Sequence, residues 1–291
     1  SQFELGDRGL RKVAVRFFCF FLSVDMEKLD LDTMFSQETQ DVCWTWFHKI
    51  CIVNPLVVPG VVLLLYLLMV FVGPILMKAL HLGPYNPQWL LNAWNLFLCL
   101  FSLVCVLRVG SITLPIFLER GWYHVLVMPG DRYLWTGEAY LWVVIFCSSK
   151  FLELIDTFFL VIRGRAVPFL HWYHHTTVLL YTWYSMVSGH SAGWIFGLIN
   201  GCVHVFMYFY YFYSGVTNTR PFWGRYITQL QLTQMVIGIG IALSWDYYFF
   251  SGYECPARWP MFGIIGGALM YLSYFILFLQ FSARRHKTKR E

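Results

Sequence analysis

Apolar residues run through this chain in long blocks and not in short alternation. Seven blocks are each long enough for a helix that crosses a bilayer, which takes about 20 residues. They cover approximately 52–77, 90–112, 139–162, 167–187, 192–214, 226–250 and 261–281. Backbone polar groups in lipid must find partners within their own segment, so the blocks predict α-helices. The breaks are short and rich in Gly, Pro, Asn and Asp, at 81–84, 129–131, 163–165, 188–190, 218–221 and 254–256. The pattern predicts an all-α integral membrane protein with seven transmembrane helices in 51–282. An N-terminal segment, 1–50, precedes them and a basic tail, 283–291, follows. Within 1–50, Arg11-Lys12 leads into the apolar run Phe17–Leu22, too short to span and signal-like or interfacial in character. Met26 is the expected alternative start of the chain.

Composition agrees with the blocks. Hydrophobic residues make up 58 % and charged residues 13 %, where a soluble domain carries roughly 25 % charged. Aromatics reach 20 % and gather near the block ends, as an interfacial belt requires. These figures exclude an ordinary soluble enzyme, and nothing resembles a nucleic-acid-binding surface. The placement of charge orients the chain. The loops on the C-terminal side, with the tail, carry Lys78, Arg163, Arg165, Arg220, Arg225, Arg284, Arg285, Lys287, Lys289 and Arg290. The other side carries Lys49, Arg120, Arg132 and Arg258. The positive-inside rule therefore predicts a cytosolic C-terminus and a lumenal N-terminus. Lys287 and Lys289 stand fifth and third from the end, like a dilysine retrieval signal of the endoplasmic reticulum. Ordinary flanking charge accounts for them equally well.

Polar residues interrupt four consecutive blocks. In the third, Lys150, Glu153, Asp156 and Thr157 cover an arc of roughly 120° at 100° per residue. Each charge at a bilayer centre costs about 2.5–3.5 kcal/mol, so these face a protein interior or wet cavity and pair with one another. An ion-pair network that only orients helices is the plain alternative. In the fourth, His171, His174 and His175 lie within roughly 100° of one another. In the fifth, Asn200, His204, Tyr208 and Tyr211 form a stripe about 80° wide. In the sixth, Thr228, Gln231 and Gln234 follow at spacings of three. The first and seventh blocks have almost no polar stripe. The geometry predicts one polar chamber lined by the third to sixth helices, toward the cytosolic side.

The residue types limit the chemistry. Carboxylates are too few for a carboxylate-bridged metal site, and no Ser sits in a nucleophile elbow. Cys202 has no activating context. The eight cysteines include no CxxC pair, so structural zinc is not expected. Histidine is the abundant group. Imidazole is largely unprotonated at neutral pH and attacks thioesters, and an acyl-imidazole is itself an acyl donor.

The motifs Lys150-x-x-Glu153-x-x-Asp156-Thr157, His171-x-x-His174-His175, Asn200-x-x-x-His204-x-x-Met207-Tyr208-x-x-Tyr211 and Thr228-x-Leu230-Gln231-x-x-Gln234 resemble, in order and spacing, the four signatures of the ELO-type very-long-chain fatty acid elongases. The resemblance covers roughly residues 50–291, and Trp94-Asn95, Phe101-Ser102 and Leu107-Arg108 share it. His-Trp-Tyr-His-His together with Leu107-Arg108 is similar to members acting on saturated and monounsaturated chains. Polyunsaturated-type members tend to have Val where Trp172 stands.

The resemblance implies a 3-ketoacyl-CoA synthase: acyl-CoA and malonyl-CoA give 3-ketoacyl-CoA, CO₂ and CoA, with no metal or redox cofactor. It implies seven helices, six of them enclosing a tunnel for the acyl chain and CoA. On this pattern His174 accepts the acyl group. His204 faces it, binding malonyl-CoA or stabilising the enolate, and His171 and His175 orient or protonate. Asn200, Gln231 and Gln234 donate to thioester oxygens, and Lys150, Glu153, Asp156, Tyr208 and Tyr211 support them. Arg163, Arg165, Arg225 and Arg284 suit the CoA phosphates, or equally lipid headgroups. The implied partners are the bilayer, the two CoA thioesters, the ketoacyl reductase, dehydratase and enoyl reductase of the elongation cycle, and a second copy of the chain. Some relatives pair a cysteine before the third helix with one before the seventh. Cys255 fits the second position, but 113–138 holds no cysteine, so Cys255 pairs with Cys43 or Cys51 or stays free.

Two other classes share single features. Membrane di-iron desaturases also use a His-x-x-His-His box, but need about eight histidines. Here His48, His81, His124, His190 and His286 are scattered, and four histidines share the chamber. A seven-helix receptor or proton-coupled transporter would use Lys150, Glu153 and Asp156 as a charge relay.

Overall fold

The computed structural model describes residues 57–127, 137–255, 257 and 259–287. The signal-like segment, Met26, the pairing of Cys43 or Cys51, and Lys289 of the tail lie outside these residues. The elements in chain order are α1 (Val57–Phe71), α2 (Gly73–Ala79), α3 (Gln88–Val127), α4 (Gly137–Leu152), α5 (Ile155–Ile162), α6 (Phe169–Ser188), α7 (Gly193–Thr217), α8 (Gly224–Phe250) and α9 (Pro260–Lys287). No strand occurs among the described residues.

Each apolar block is helical, and two of them are broken. The first is α1 and α2, bent by 46° where Pro74 sits in the first turn of α2. The third is α4 and α5, interrupted at Glu153 and Leu154, where Leu154 N bonds Phe151 O and Asp156 N bonds Glu153 O in a tighter turn. Among the described residues four helices are long and apolar enough to cross a membrane, Gln88–Leu126, Gly193–Thr217, Gly224–Phe250 and Pro260–Phe281, and the bent pair makes up to five. The segments that carry Lys150, Glu153, Asp156 and His171–His175 are not among them. α4 and α5 are short, at 16 and 8 residues, and α6 places His, Tyr and Thr throughout its 20.

The second block runs further than its apolar stretch. α3 continues through Pro115 to Gly121, where φ 80° and ψ −177° end the regular turn. Residues 122–126 then lie across the start of α7 and the end of α8. Val125 and Leu126 are fully buried there against Ala192, Trp194, Ile195, Ile241 and Trp245. Trp194 Nε1 donates to the Val125 carbonyl (3.0 Å), Ser191 Oγ to the Leu126 carbonyl (2.9 Å), and Trp245 Nε1 to Ser191 Oγ (3.1 Å). This closes one end of the bundle. The second helix, expected to end near 112, thus continues to Gly121 and a cap.

α7 packs mainly along α3, α8 along α9, and α6 against α4 and α9, while α1 and α2 lie outside on α5 and α6. The outward faces are apolar: Leu65, Leu243 and Leu269 are each more than half exposed. Water would not tolerate so continuous an apolar surface, and a bilayer would. The inside holds the reverse, with Lys150, Glu153, Thr157, His175, His204 and Gln234 among the buried residues.

Candidate active site

The break between α4 and α5 sets the polar centre. It leaves Lys150 and Glu153 buried, at 2 % and 3 % exposure, and joined at 2.6 Å. Lys150 Nζ also donates to Asn200 Oδ1 of α7 (2.9 Å) and lies 4.5 Å from the Phe146 ring centre. One turn along α7 from Asn200, His204 Nδ1 stands 3.6 Å from Glu153 Oε1. Two charges out of water need this density of partners, because a lone buried ion is far costlier than a paired one.

Beyond the break the side chains diverge. Asp156 accepts from Trp94 Nε1 of α3 (2.7 Å) and from the Tyr208 hydroxyl of α7 (2.8 Å). Thr157 Oγ1 bonds His171 Nε2 (2.8 Å) and the Tyr66 hydroxyl of α1 (3.0 Å). The His171 and His175 rings lie 4.5 Å apart. His174 turns elsewhere: its ring is 4.9 Å from that of Tyr274 of α9, whose hydroxyl donates to the His174 carbonyl (3.2 Å). His174 Nδ1 is buried and has no hydrogen-bond partner, and the same holds for His175 Nδ1.

His174 lines a cavity with Lys150, Asn200 and Gln234 at one end. From there the walls are apolar, with Cys105, Phe146, Val178, Met235 and Tyr271 among them, down to Ser185, His190, Gly193 and Trp194 beside the cap. The free volume of about 80 Å³ is several times the roughly 10–15 Å³ that one water needs. Six helices contribute, α3, α4, α6, α7, α8 and α9, where the polar stripes predicted four. Among the described residues no three of His, Cys, Asp and Glu come together in a group that would hold a metal ion.

The predicted residues therefore divide. Lys150, His174, Asn200 and Gln234 face the cavity, and Glu153 and His204 stand directly behind. Asp156, Tyr208, His171 and His175 form the packed layer beyond. Gln231 bonds Met207 Sδ (3.5 Å) and is not a wall residue. Tyr211 does not join the chamber: it is 46 % exposed, pointing outward at the end of the stripe. Arg163, Arg165 and Arg225 sit at the end of the bundle where α6 and α8 begin; the last two are exposed, and Arg225 donates to the Tyr226 hydroxyl (3.0 Å). The side chain of Arg284 lies outside the described residues. Cys255 is a free thiol, pushed up to about 11 by burial.

Tyr66 and Tyr274 belong to this centre and His190 to the far end of the cavity, and all three are absent from the four stripes. Tyr66 and Tyr274 are isolated tyrosines in apolar helices, a pattern shared with belt residues. The available signal was the helical register: Thr177 Oγ1 on α6 meets the Tyr274 hydroxyl at 2.5 Å, one turn from His174.

The model of the ELO, GNS1/SUR4 family matches residues 51–291. The protein named very long chain fatty acid elongase 4 of Trypanosoma cruzi is 38 % identical over 221 residues, 74 % of this chain and 75 % of that protein. Fatty acid elongase 3 of Trypanosoma brucei brucei is 32 % identical over 260 residues, 80 % and 85 % of the two. A putative fatty acid elongase 3 of Caenorhabditis elegans is 34 % identical over 217 residues, 74 % and 66 %. The matched stretch, 51–291, takes in every helix that builds the cavity, and this chain belongs to the ELO, GNS1/SUR4 family.

Proposed function

We propose that the chain is the condensing enzyme of fatty acid elongation, joining acyl-CoA and malonyl-CoA to give 3-ketoacyl-CoA, CO₂ and CoA. The observation that carries the reading is His174: a buried imidazole with an unpartnered nitrogen, at the head of an apolar cavity and beside Lys150, Asn200 and Gln234. An imidazole nitrogen attacks the thioester carbonyl and CoA leaves as the thiolate. The acyl chain occupies the apolar cavity. Malonyl-CoA then loses CO₂, and its enolate carbon attacks the acyl-imidazole, which returns His174 and releases 3-ketoacyl-CoA. Asn200 and Gln234 stabilise the developing oxyanion. His204 stands behind the wall against Glu153, and it is the resemblance that gives it the malonyl group or its enolate; Lys150 neutralises Glu153 and aims Asn200. The reading needs no metal or redox cofactor.

Further parts of the proposal rest on the resemblance and the charge pattern: seven spans with six around the acyl tunnel, the endoplasmic reticulum with the C-terminus in the cytosol, and Arg163, Arg165, Arg225 and Arg284 on the CoA phosphates. They extend to a preference for saturated and monounsaturated chains, to the other elongation-cycle enzymes as partners and to a homodimer. The test is intact mass after acyl-CoA alone. An adduct of the acyl mass, mapped to His174 and discharged by malonyl-CoA, is expected; its absence on rapid quenching overturns the two-step scheme.

A further inference from the structure

The cavity ends on a definite floor. Ser185 and His190 at the end of α6 meet Gly193 and Trp194 at the start of α7, and all four are wall residues. The floor is held from behind by the hydrogen bonds that tie Trp194 to Val125 and Trp245 to Ser191. His190 is stacked on Trp245, with ring centres 4.4 Å apart. Ser185 and Gly193 are in close contact: a methyl group built on Gly193 would meet Ser185 Oγ at 2.5 Å, so bulk added at position 193 pushes Ser185 aside.

The depth is commensurate with an acyl chain. From His174 to Ser185, both wall residues on α6, the helix rises about 16 Å at about 1.5 Å per residue. A zigzag of C–C bonds of about 1.5 Å advances about 1.3 Å per bond, so the same distance takes about 13 carbons.

We propose that Ser185 and Gly193 are specificity-determining residues that fix the greatest acyl length the cavity admits. This rests on the reading that His174 carries the acyl group and the cavity its chain. The chain's methyl end meets the floor, and added bulk at either residue subtracts length from that end without touching the reacting end at His174. Short chains stop above the floor and do not sense it.

The test measures condensation of labelled malonyl-CoA with saturated acyl-CoAs from C8 to C20 by the full-length protein in its membrane. Ser185→Phe, Gly193→Ala and the lipid-facing control Leu269→Phe are compared with the wild type. The expected result is a cut-off lowered by about four carbons in Ser185→Phe, the depth a phenyl ring removes at about 1.3 Å per bond. A smaller shift is expected in Gly193→Ala and none in Leu269→Phe, with rates on C8 unchanged throughout. A cut-off unmoved in both floor variants, or a loss in both as large on C8 as on the longest chains, overturns the proposal. Wild-type protein that condenses no acyl-CoA overturns the condensation reading itself.

Discussion

Lys150 and Glu153 face each other across the last turn of α4 at 2.6 Å, and both are almost completely buried. The pair holds the α4–α5 break and, through Asn200 and His204, fixes α7 to it. Removing one partner strands the other charge. Lys150→Met is expected to lower the unfolding free energy by about 3–5 kcal/mol, read by denaturant unfolding in detergent. Lys150→Met combined with Glu153→Gln is expected to recover much of it. A single variant as stable as the wild type would mean that the pair contributes nothing.

Asp156 receives two donors, Trp94 and Tyr208, from two different helices. Trp94→Phe and Tyr208→Phe each remove one bond to a buried acceptor, at a cost of about 1–3 kcal/mol. Because they share Asp156, their effects are expected to combine non-additively. The double-variant cycle measures this; strict additivity would show that Asp156 does not couple them.

His174 differs from its neighbours by what it touches. His171 is bonded to Thr157 and its ring lies near that of His175, whereas the His174 ring is at the cavity wall. His174→Ala is expected to lose condensation by more than about 10³-fold while its unfolding midpoint stays near that of the wild type. His171→Ala is expected to lower stability as well, since it strips a partner from buried Thr157. Elongation by purified His174→Ala at the wild-type rate would end the assignment of that residue.

The outlines of this arrangement were legible in the sequence and its joints were not. Long apolar blocks announce helices because lipid leaves the backbone no other partner, and the stripes on four blocks pointed to Lys150, His174, Asn200 and Gln234. The break at Glu153 and Leu154 carries neither Gly nor Pro, so its composition does not mark it; Glu153 is held there by Ser149 and Lys150 of the preceding turn and by His204 of α7. Tyr211 continues the spacing of Asn200, His204 and Tyr208 but lies beyond the depth at which neighbours cover α7. Spacing gives direction around a helix, not depth along it. The cap over 122–126 was hidden because its anchors, Trp194, Ser191 and Trp245, are remote in sequence.

Cys255 is a free thiol partly covered by the packing around residues 122–126, and burial raises it to about 11. The reactive form is the thiolate, and a raised value means less of it: about a thousandth at pH 8, against a sizeable fraction for an ordinary thiol near 8.5. Iodoacetamide labelling of Cys255 in the folded protein is expected to run about 100-fold slower at pH 8 than in a peptide, and to climb as the pH approaches 11. Peptide mapping of alkylated protein checks this. Labelling at the peptide's rate would place the thiol in water.

Gly121 is where the regular turns of α3 stop and its last residues, 122–127, begin the cap. Its φ of 80° with ψ near −177° is a conformation essentially restricted to glycine. No atom stands within 4 Å of where a β-carbon would be, so a substitution there is penalised by the backbone alone. Gly121→Ala is expected to cost about 1–3 kcal/mol. Part of this appears locally, because α3 gains by continuing straight and drawing Val125 and Leu126 off Trp194 and Trp245. Hydrogen exchange in residues 122–126 is expected to rise before the helices that line the cavity open. If exchange rises equally everywhere, the cap and the bundle unfold as one unit, and Gly121 serves only global stability.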